Sequence, residues 1–259
     1  MCLILLAFQA HRDVTLLLAG NRDEFFRRPS APPAVIAANP AIFAGRDLEA
    51  GGTWMGRNEA GLMAALTNRR NPAAHLPADA RTRGEIVVKL LGHRQPELAA
   101  EWLEGLALDR YQPFSVLFGD PTRFYYFCSE EQGPPRSLAP GFYALSNSTL
   151  DDRSWPKVEG SHRFFEVNRS LPGEELVEKI QVFLADATPP DDREGTDRQE
   201  EIHGALGAVF ITTEGYGTVS STLLTAGGTL GDRYYFAEGK ALRHGREPAR
   251  AFRLISFEG

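Results

Sequence analysis

Residues 3–24 read Leu3-Ile4-Leu5-Leu6-Ala7-Phe8-Gln9-Ala10-His11-Arg12-Asp13-Val14-Thr15-Leu16-Leu17-Leu18-Ala19-Gly20-Asn21-Arg22-Asp23-Glu24. Two apolar runs, 3–8 and 14–19, flank a polar turn at 10–13, which is the pattern of a β-hairpin. Both runs are apolar at odd and even positions alike, so the strands are expected to be covered on both faces, between packed layers. A turn centred on His11-Arg12 sets Cys2 opposite Asn21, with Asn21 and Asp23 on the face of Cys2 and Arg22 and Glu24 on the other. A slip of one residue exchanges the two sets.

Outward from the hairpin, Arg28-Pro29-Ser30-Ala31-Pro32-Pro33 reads as a loop, because proline interrupts both helix and ladder. Short strands are expected at 34–37, 42–45, 53–56 and 61–67, divided by glycines. Between about 82 and 106 the period changes to that of a helix: Ile86, Val87, Leu90 and Leu91, then, after Pro96, Leu98, Trp102, Leu103 and Leu106. A second hairpin (113–119 and 123–128) and a strand at 142–146 precede helices near 156–168 and 174–186. Residues 187–201, rich in Asp, Glu, Pro and Thr, read as a surface loop. Strands near 208–213, 218–225, 233–238 and 251–257 complete the pattern. Strands, helices, strands, helices, strands in that order suit an α+β fold: two antiparallel sheets packed face to face with helices outside, in one four-layer domain over 1–259.

Composition removes several function classes. The chain has 259 residues, 34 acidic and 28 basic side chains, and a formal charge of -6. With no basic cluster larger than a pair, nucleic acid is not an expected partner. No apolar run reaches the ~18 residues of a membrane span, and the apolar start lacks the flanks of a secretory signal, so a cytoplasmic protein without stable membrane insertion is expected. Two cysteines, Cys2 and Cys128, make no disulfide framework. The phosphate-loop, dinucleotide, nucleophile-elbow, zinc-protease and CxxC motifs are all missing, and the six histidines are scattered singly, so no metal ligands are assigned.

Cys2 is the leading candidate for chemistry. Removal of Met1 makes it N-terminal, and a free α-amino group with an ordinary pKa of about 7.7–8.0 then serves as base to its own thiol. The competing reading is a small buried hydrophobe that happens to lie second. Asn21-Arg22-Asp23-Glu24 ends an apolar strand beside it. In either register a carboxylate and an amide or guanidinium flank the nucleophile, suited to orienting an ammonium and donating to an oxyanion; the alternative is a solvated strand end with a local ion pair. Asn68 and Asn147 close two further strands and donate without charge, as an oxyanion requires, although asparagine is also a turn former. Trp54, within Gly51-Gly52-Thr53-Trp54-Met55-Gly56, is either the wall of an apolar site or core.

At Asn21-Arg22-Asp23-Glu24 the chain resembles the NRDE family, also called the transport-and-Golgi-organisation-2 family. The resemblance continues through Ala44-Gly45-Arg46-Asp47, Gly51 to Gly56, Gly61 to Asn68 and Arg83-Gly84-Glu85. It extends to Leu145-Ser146-Asn147 with Trp155-Pro156-Lys157-Val158, and to Tyr216-Gly217-Thr218 with Ser220-Ser221-Thr222, so that it spans roughly residues 1–222. It implies the αββα sandwich of the N-terminal nucleophile hydrolases. The cysteine members of that group, such as bile-salt and penicillin V amidases, carry their nucleophile at the position matching Cys2 and asparagines in contexts like those of Asn68 and Asn147. Two departures stand out: the amidases have Arg-Asn-X-Asp where this chain has Asn21-Arg22-Asp23-Glu24, and Val219 replaces the arginine that usually follows Tyr-Gly-Thr. The resemblance thus implies two functions. One is hydrolysis of a non-peptide C–N bond of a small apolar amide, with Cys2, Asn21, Arg22, Asp23 and Asn147 as the catalytic set. The other is non-catalytic carriage of haem or an acyl-CoA-type metabolite, as links of the family to haem trafficking and lipid metabolism suggest. Glu24, Arg46, Trp54 and Asn68 are the candidate ligand-binding residues. Apolar groups such as Phe25, Phe26 and Tyr143, and arginines such as Arg27 and Arg28, are available to line a pocket or pair with propionates or phosphates. No cofactor is required; haem enters as cargo.

Overall fold

A computed structural model describes residues 3–69, 80–190, 207–243 and 247–256. Its strands and helices run β1 (Leu3–Phe8), β2 (Leu16–Phe25), β3 (Ser30–Ala38), β4 (Ala41–Asp47), β5 (Met55–Asn58), β6 (Met63–Asn68), α1 (Gly84–Leu91) and α2 (Pro96–Glu104). They continue as β7 (Phe114–Gly119), β8 (Phe124–Cys128), β9 (Arg136–Ser137), β10 (Gly141–Leu145), α3 (Pro156–Asn168), α4 (Gly173–Leu184), β11 (Tyr216–Ala226), β12 (Arg233–Glu238) and β13 (Arg253–Leu254). Two short helices, Gly239–Arg243 and Pro248–Ala251, lie between β12 and β13. The fold is α+β, with two antiparallel sheets and helices that pack on them. Two compact units can be separated, each with one sheet: Met1–Arg27, Phe142–Ser146 and Leu150–Ile255 in the first, Arg28–Gly141, Asn147–Thr149 and Ser256–Gly259 in the second.

In the first unit six strands run in the order β10-β1-β2-β11-β12-β13. The odd residues Leu3, Leu5, Leu17, Ala19 and Leu223 meet Val158 and Phe165 of α3 and Leu176, Ile180 and Leu184 of α4 in one core. Alternation turns the even residues to the other face. All six residues of β1 and the first eight of β2 are buried, as the doubly apolar runs predict. The helices start where the sequence lets them: Pro156 opens α3 at its first position, and Glu174 and Glu175 place negative charge in the first turn of α4. The turn between β1 and β2 is itself anchored. The His11 ring bonds the Leu171 carbonyl at 3.0 Å, and Gly173 N–H donates to Asp13 Oδ2 at 2.9 Å.

The second unit holds the seven-stranded sheet β3-β4-β5-β6-β7-β8-β9. Ile42, Ala44, Ala64, Leu66, Val116 and Phe118 face Ile86, Val87, Leu90, Ala99 and Leu103 of α1 and α2. The proline-rich segment expected to be a loop joins this sheet as β3, at its edge and with two register shifts against β4, where missing N–H groups and bulges are tolerated. The strand expected at 208–213 is not formed. Ala208, Val209, Phe210 and Ile211 are buried, but their backbone groups bond side chains and scattered main-chain groups rather than a strand ladder.

Candidate functional site

The ladder between β1 and β2 pairs Leu3 with Asn21 and Phe8 with Leu16. This is the slipped register. Seven residues, an odd number, separate the strands; Gln9, at φ 48°, bonds Thr15 at 2.7 Å, and the turn therefore centres on Arg12 rather than between two residues. Asn21 and Asp23 consequently fall on the helix-bearing face of the first unit's sheet, and Arg22 and Glu24 on the opposite face.

Asn21 is fully buried and fully bonded. Its Nδ2 donates to the carbonyls of Leu184 and Val209, each at 2.8 Å, and its Oδ1 accepts from the Ser221 hydroxyl at 2.6 Å. The side chain thus ties the end of α4 and segment 208–211 to β2, and with both N–H groups in use it is not poised to donate to an oxyanion. Asp23 works in the same way. Its Oδ1 accepts from Thr218 Oγ1 at 2.6 Å, and Thr218 Oγ1 accepts from Ile211 N–H at 2.9 Å. Asp23 Oδ2 is buried without a hydrogen-bond partner. Two of the residues expected beside the nucleophile therefore hold the backbone of 209–211 in place of a ladder.

On the other face, Arg22 is only 3% exposed and stands opposite Ser220, whose buried hydroxyl has no partner. Glu24 is partly exposed and accepts from the Phe25 N–H at 2.9 Å. Between Thr218 and Ser220 the register with β2 shifts, so that Val219 sits in a bulge, a device common beside functional sites. A guanidinium reaches this bulge from elsewhere: Arg243 Nη1 donates to the Thr218 carbonyl at 2.7 Å, and its Cζ lies 4.4 Å from the Phe26 ring centroid. Burial draws the Arg243 pKa down from its ordinary value. Phe25, 51% exposed, takes Tyr216 edge-on at 5.3 Å and carries Arg27 over its ring, also at 5.3 Å.

In the second unit the two asparagines meet. Asn147 Nδ2 donates to the Asn68 carbonyl at 2.7 Å, where both side chains are accessible to solvent. One step along β6, Thr67 pairs with Ser115 of β7, and both buried hydroxyls lack partners. Trp54 is core-like, 7% exposed, and its ring lies so close over Gly45 that a Cβ there would come within 2.6 Å. Arg46 is exposed on β4, one residue from Gly45. The glycine-rich motif serves backbone packing: a Cβ on Gly52 would lie 2.4 Å from the Gly84 carbonyl carbon, and Thr53 N–H bonds the Gly84 carbonyl at 3.2 Å.

Within the first unit, then, Asn21, Arg22, Asp23 and Glu24 are joined by Thr218, Ser220 and Ser221, hydroxyls that had not been singled out for chemistry. Their signal was present in the sequence: a run of Ser and Thr on a strand otherwise apolar enough to be interior. Cys2 lies outside the described residues. Among those residues no cluster of three or more His, Cys, Asp or Glu is arranged to hold a metal, and no helix is long and apolar enough to cross a membrane.

Comparison with known proteins agrees with the motif blocks. The chain is 31% identical over 247 residues to the transport and Golgi organization protein 2 homolog of Bos taurus, covering 86% of this chain and 88% of the relative. It is 30% identical, with the same coverage, to the Homo sapiens homolog. Among solved structures it matches penicillin V acylase from Agrobacterium tumefaciens (13% identity, 92% of this chain and 83% of the other, TM-score 0.44). It also matches the C2A mutant of conjugated bile acid hydrolase from Clostridium perfringens (12% identity, 100% and 97%, TM-score 0.46). The family described as Transport and Golgi organisation 2 matches residues 1–238, and this chain belongs to it.

Proposed function

We propose that this chain is an N-terminal cysteine hydrolase acting on a non-peptide amide bond of a small apolar substrate, with Cys2 as nucleophile on the Arg22 side of β2. The observation that supports this reading most is the buried Ser220 hydroxyl, which has no partner and stands on the ladder opposite the buried Arg22. An unmatched buried hydroxyl is costly and calls for a ligand or reacting group that completes it. In this reading the Cys2 thiol gives its proton to its own α-amine, and the thiolate adds to the amide carbonyl carbon. Collapse of the tetrahedral oxyanion breaks the C–N bond, and the leaving amine takes the proton from the α-ammonium. Water then cleaves the thioester through the same amine, releasing the carboxylic acid and restoring the thiol. Arg22 acts as a positioning residue: a fixed cation nearby disfavours the ammonium form, keeping the α-amine available as base, and favours the developing oxyanion.

The test is the alkylation rate of Cys2 against pH, read by peptide mapping that also reports Met1. A processed N-terminus whose reactivity levels off well below pH 8, with Cys2→Ser abolishing turnover of an N-acyl amide panel, is the expected result. Retained Met1, or a thiol as slow as an ordinary buried one, overturns it. A second reading, carriage of an anionic apolar cargo of the haem or acyl-CoA type, draws support from Phe25 and Phe26, 51% and 40% exposed, with guanidinium groups over both rings. Saturable haem or acyl-CoA binding that survives Cys2→Ala and is lost in Arg243→Gln would select it.

A further inference from the structure

Lys157 is the second residue of α3, buried to 3% exposure, and makes no side-chain hydrogen bond or ion pair among the described residues. The side chain as a whole is buried, yet its ammonium end reaches the cavity it lines rather than a protein partner. A cation in the first turn of a helix opposes the macrodipole, which favours anions there. An anion that accepts from the ammonium at this helix start would offset that opposition.

There is space for one. Lys157 lines a cavity of about 370 Å³ between the start of α3, the end of α4 and residues 188–190 and 207–209, at the lower end of the size of small-molecule sites. Arg153 and Arg163 also line it, against only two carboxylates, Glu159 and Asp186. Glu159 is shared between both arginines at long range, 3.5 Å from Arg153 and 3.8 Å from Arg163, and one oxygen of Asp186 already accepts the Thr188 N–H. The positive charge of Lys157 is therefore left over. Phe183 and Val209 supply an apolar wall, and Val209 is the residue that Asn21 fixes to β2.

We propose that this cavity, on the helix side of the first unit's sheet, is a binding site for a small organic phosphate. The phosphoryl group bonds the Lys157 ammonium at the positive end of the 13-residue α3, with Arg153 and Arg163 at the mouth, and the organic portion lies against Phe183 and Val209. A phosphoryl group suits this lining because its several acceptor oxygens can bond the Lys157 ammonium and also reach the guanidinium groups of Arg153 and Arg163.

Phenyl phosphate, which carries both a phosphoryl group and an apolar ring, is the probe. It should bind the full-length chain saturably at constant ionic strength and shield Lys157, but not the exposed Lys179 of α4, from acetylation read by peptide mapping. Lys157→Met should weaken binding by about tenfold or more, and Arg163→Gln, at an exposed position, by a smaller factor. Removal of a cation that opposes the helix dipole should leave Tm of Lys157→Met unchanged or raised. A lowered Tm would mark Lys157 as a structural cation and overturn the proposal. So would equal affinity in wild type and both variants, or no saturable binding at millimolar phenyl phosphate.

Discussion

Replacing Asn21 with alanine removes three hydrogen bonds at a point with no solvent to replace them. The Leu184 and Val209 carbonyls lose donors at 2.8 Å, and the Ser221 hydroxyl loses its acceptor at 2.6 Å. Each buried group left without a partner costs about 1–3 kcal/mol. The Leu184 carbonyl, at the end of α4, can recover part of its loss by a shift of the last turn, so the total should fall near 3–5 kcal/mol rather than at the sum of the upper values. Ser221→Ala, which leaves the two carbonyls served and orphans only Asn21 Oδ1, should cost about 1–3 kcal/mol, and the double variant should show coupling, because both changes strike one network. Urea unfolding of the four proteins, with midpoints converted at a common slope, measures all of this. An Asn21→Ala protein within about 0.5 kcal/mol of wild type, which is the range of surface substitutions, would refute the assignment of Asn21 as a clamp and return it to the catalytic candidates.

Three further outcomes follow from the same geometry. Thr218→Val keeps the shape but leaves Asp23 Oδ1 and the Ile211 N–H unbonded, and should lower stability by about 2–4 kcal/mol in the same unfolding assay. Gly52→Ala puts a Cβ 2.4 Å from the backbone of Gly84, which no rotamer can relieve; at least about 1–3 kcal/mol should be lost, seen as a lower Tm. Tyr111 donates its hydroxyl to Glu85, and burial first, then that carboxylate, pushes its pKa up to about 12. The folded state then keeps the phenol neutral where the unfolded chain ionises near pH 10, so this contribution is complete below about pH 10 and is lost as pH rises through 12. It amounts to at most about 2–3 kcal/mol, and Tyr111→Phe should abolish that part of the alkaline decline.

The layers were legible because apolar periodicity reports burial directly. The doubly apolar runs of β1 and β2 and the 3.6-residue spacing around Ile86 and Leu90 lead to the observed elements. What failed depended on partners distant in sequence. Ala208 to Ile211 has the composition of a strand and the burial of one, yet its polar backbone is satisfied by Asn21, Thr218 and the Asp186 carbonyl, and none of these is predictable from a local window. Pro32 and Pro33 argue against a strand in a local window, although an edge position asks for N–H groups on one side only. The hairpin register was uncertain by one residue for a related reason: composition locates a turn but does not count its residues, and Gln9 at positive φ decides the parity.

That single step of register divides the Asn21-Arg22-Asp23-Glu24 motif by function. A strand presents alternate residues to opposite faces, so four consecutive polar residues cannot all serve one site. The odd pair faces the helices and binds main chain: Asn21 and, through Thr218, Asp23 together fix Val209 and Ile211. The even pair faces away, and there Arg22 lies beside the unmatched Ser220 hydroxyl. The same strand thereby supports the wall of the Lys157 cavity on one side and carries Arg22 on the other. A motif of this kind retains its polar residues for two separate physical reasons, and loss of activity on mutation of an odd position would report loss of the clamp before it reported loss of chemistry.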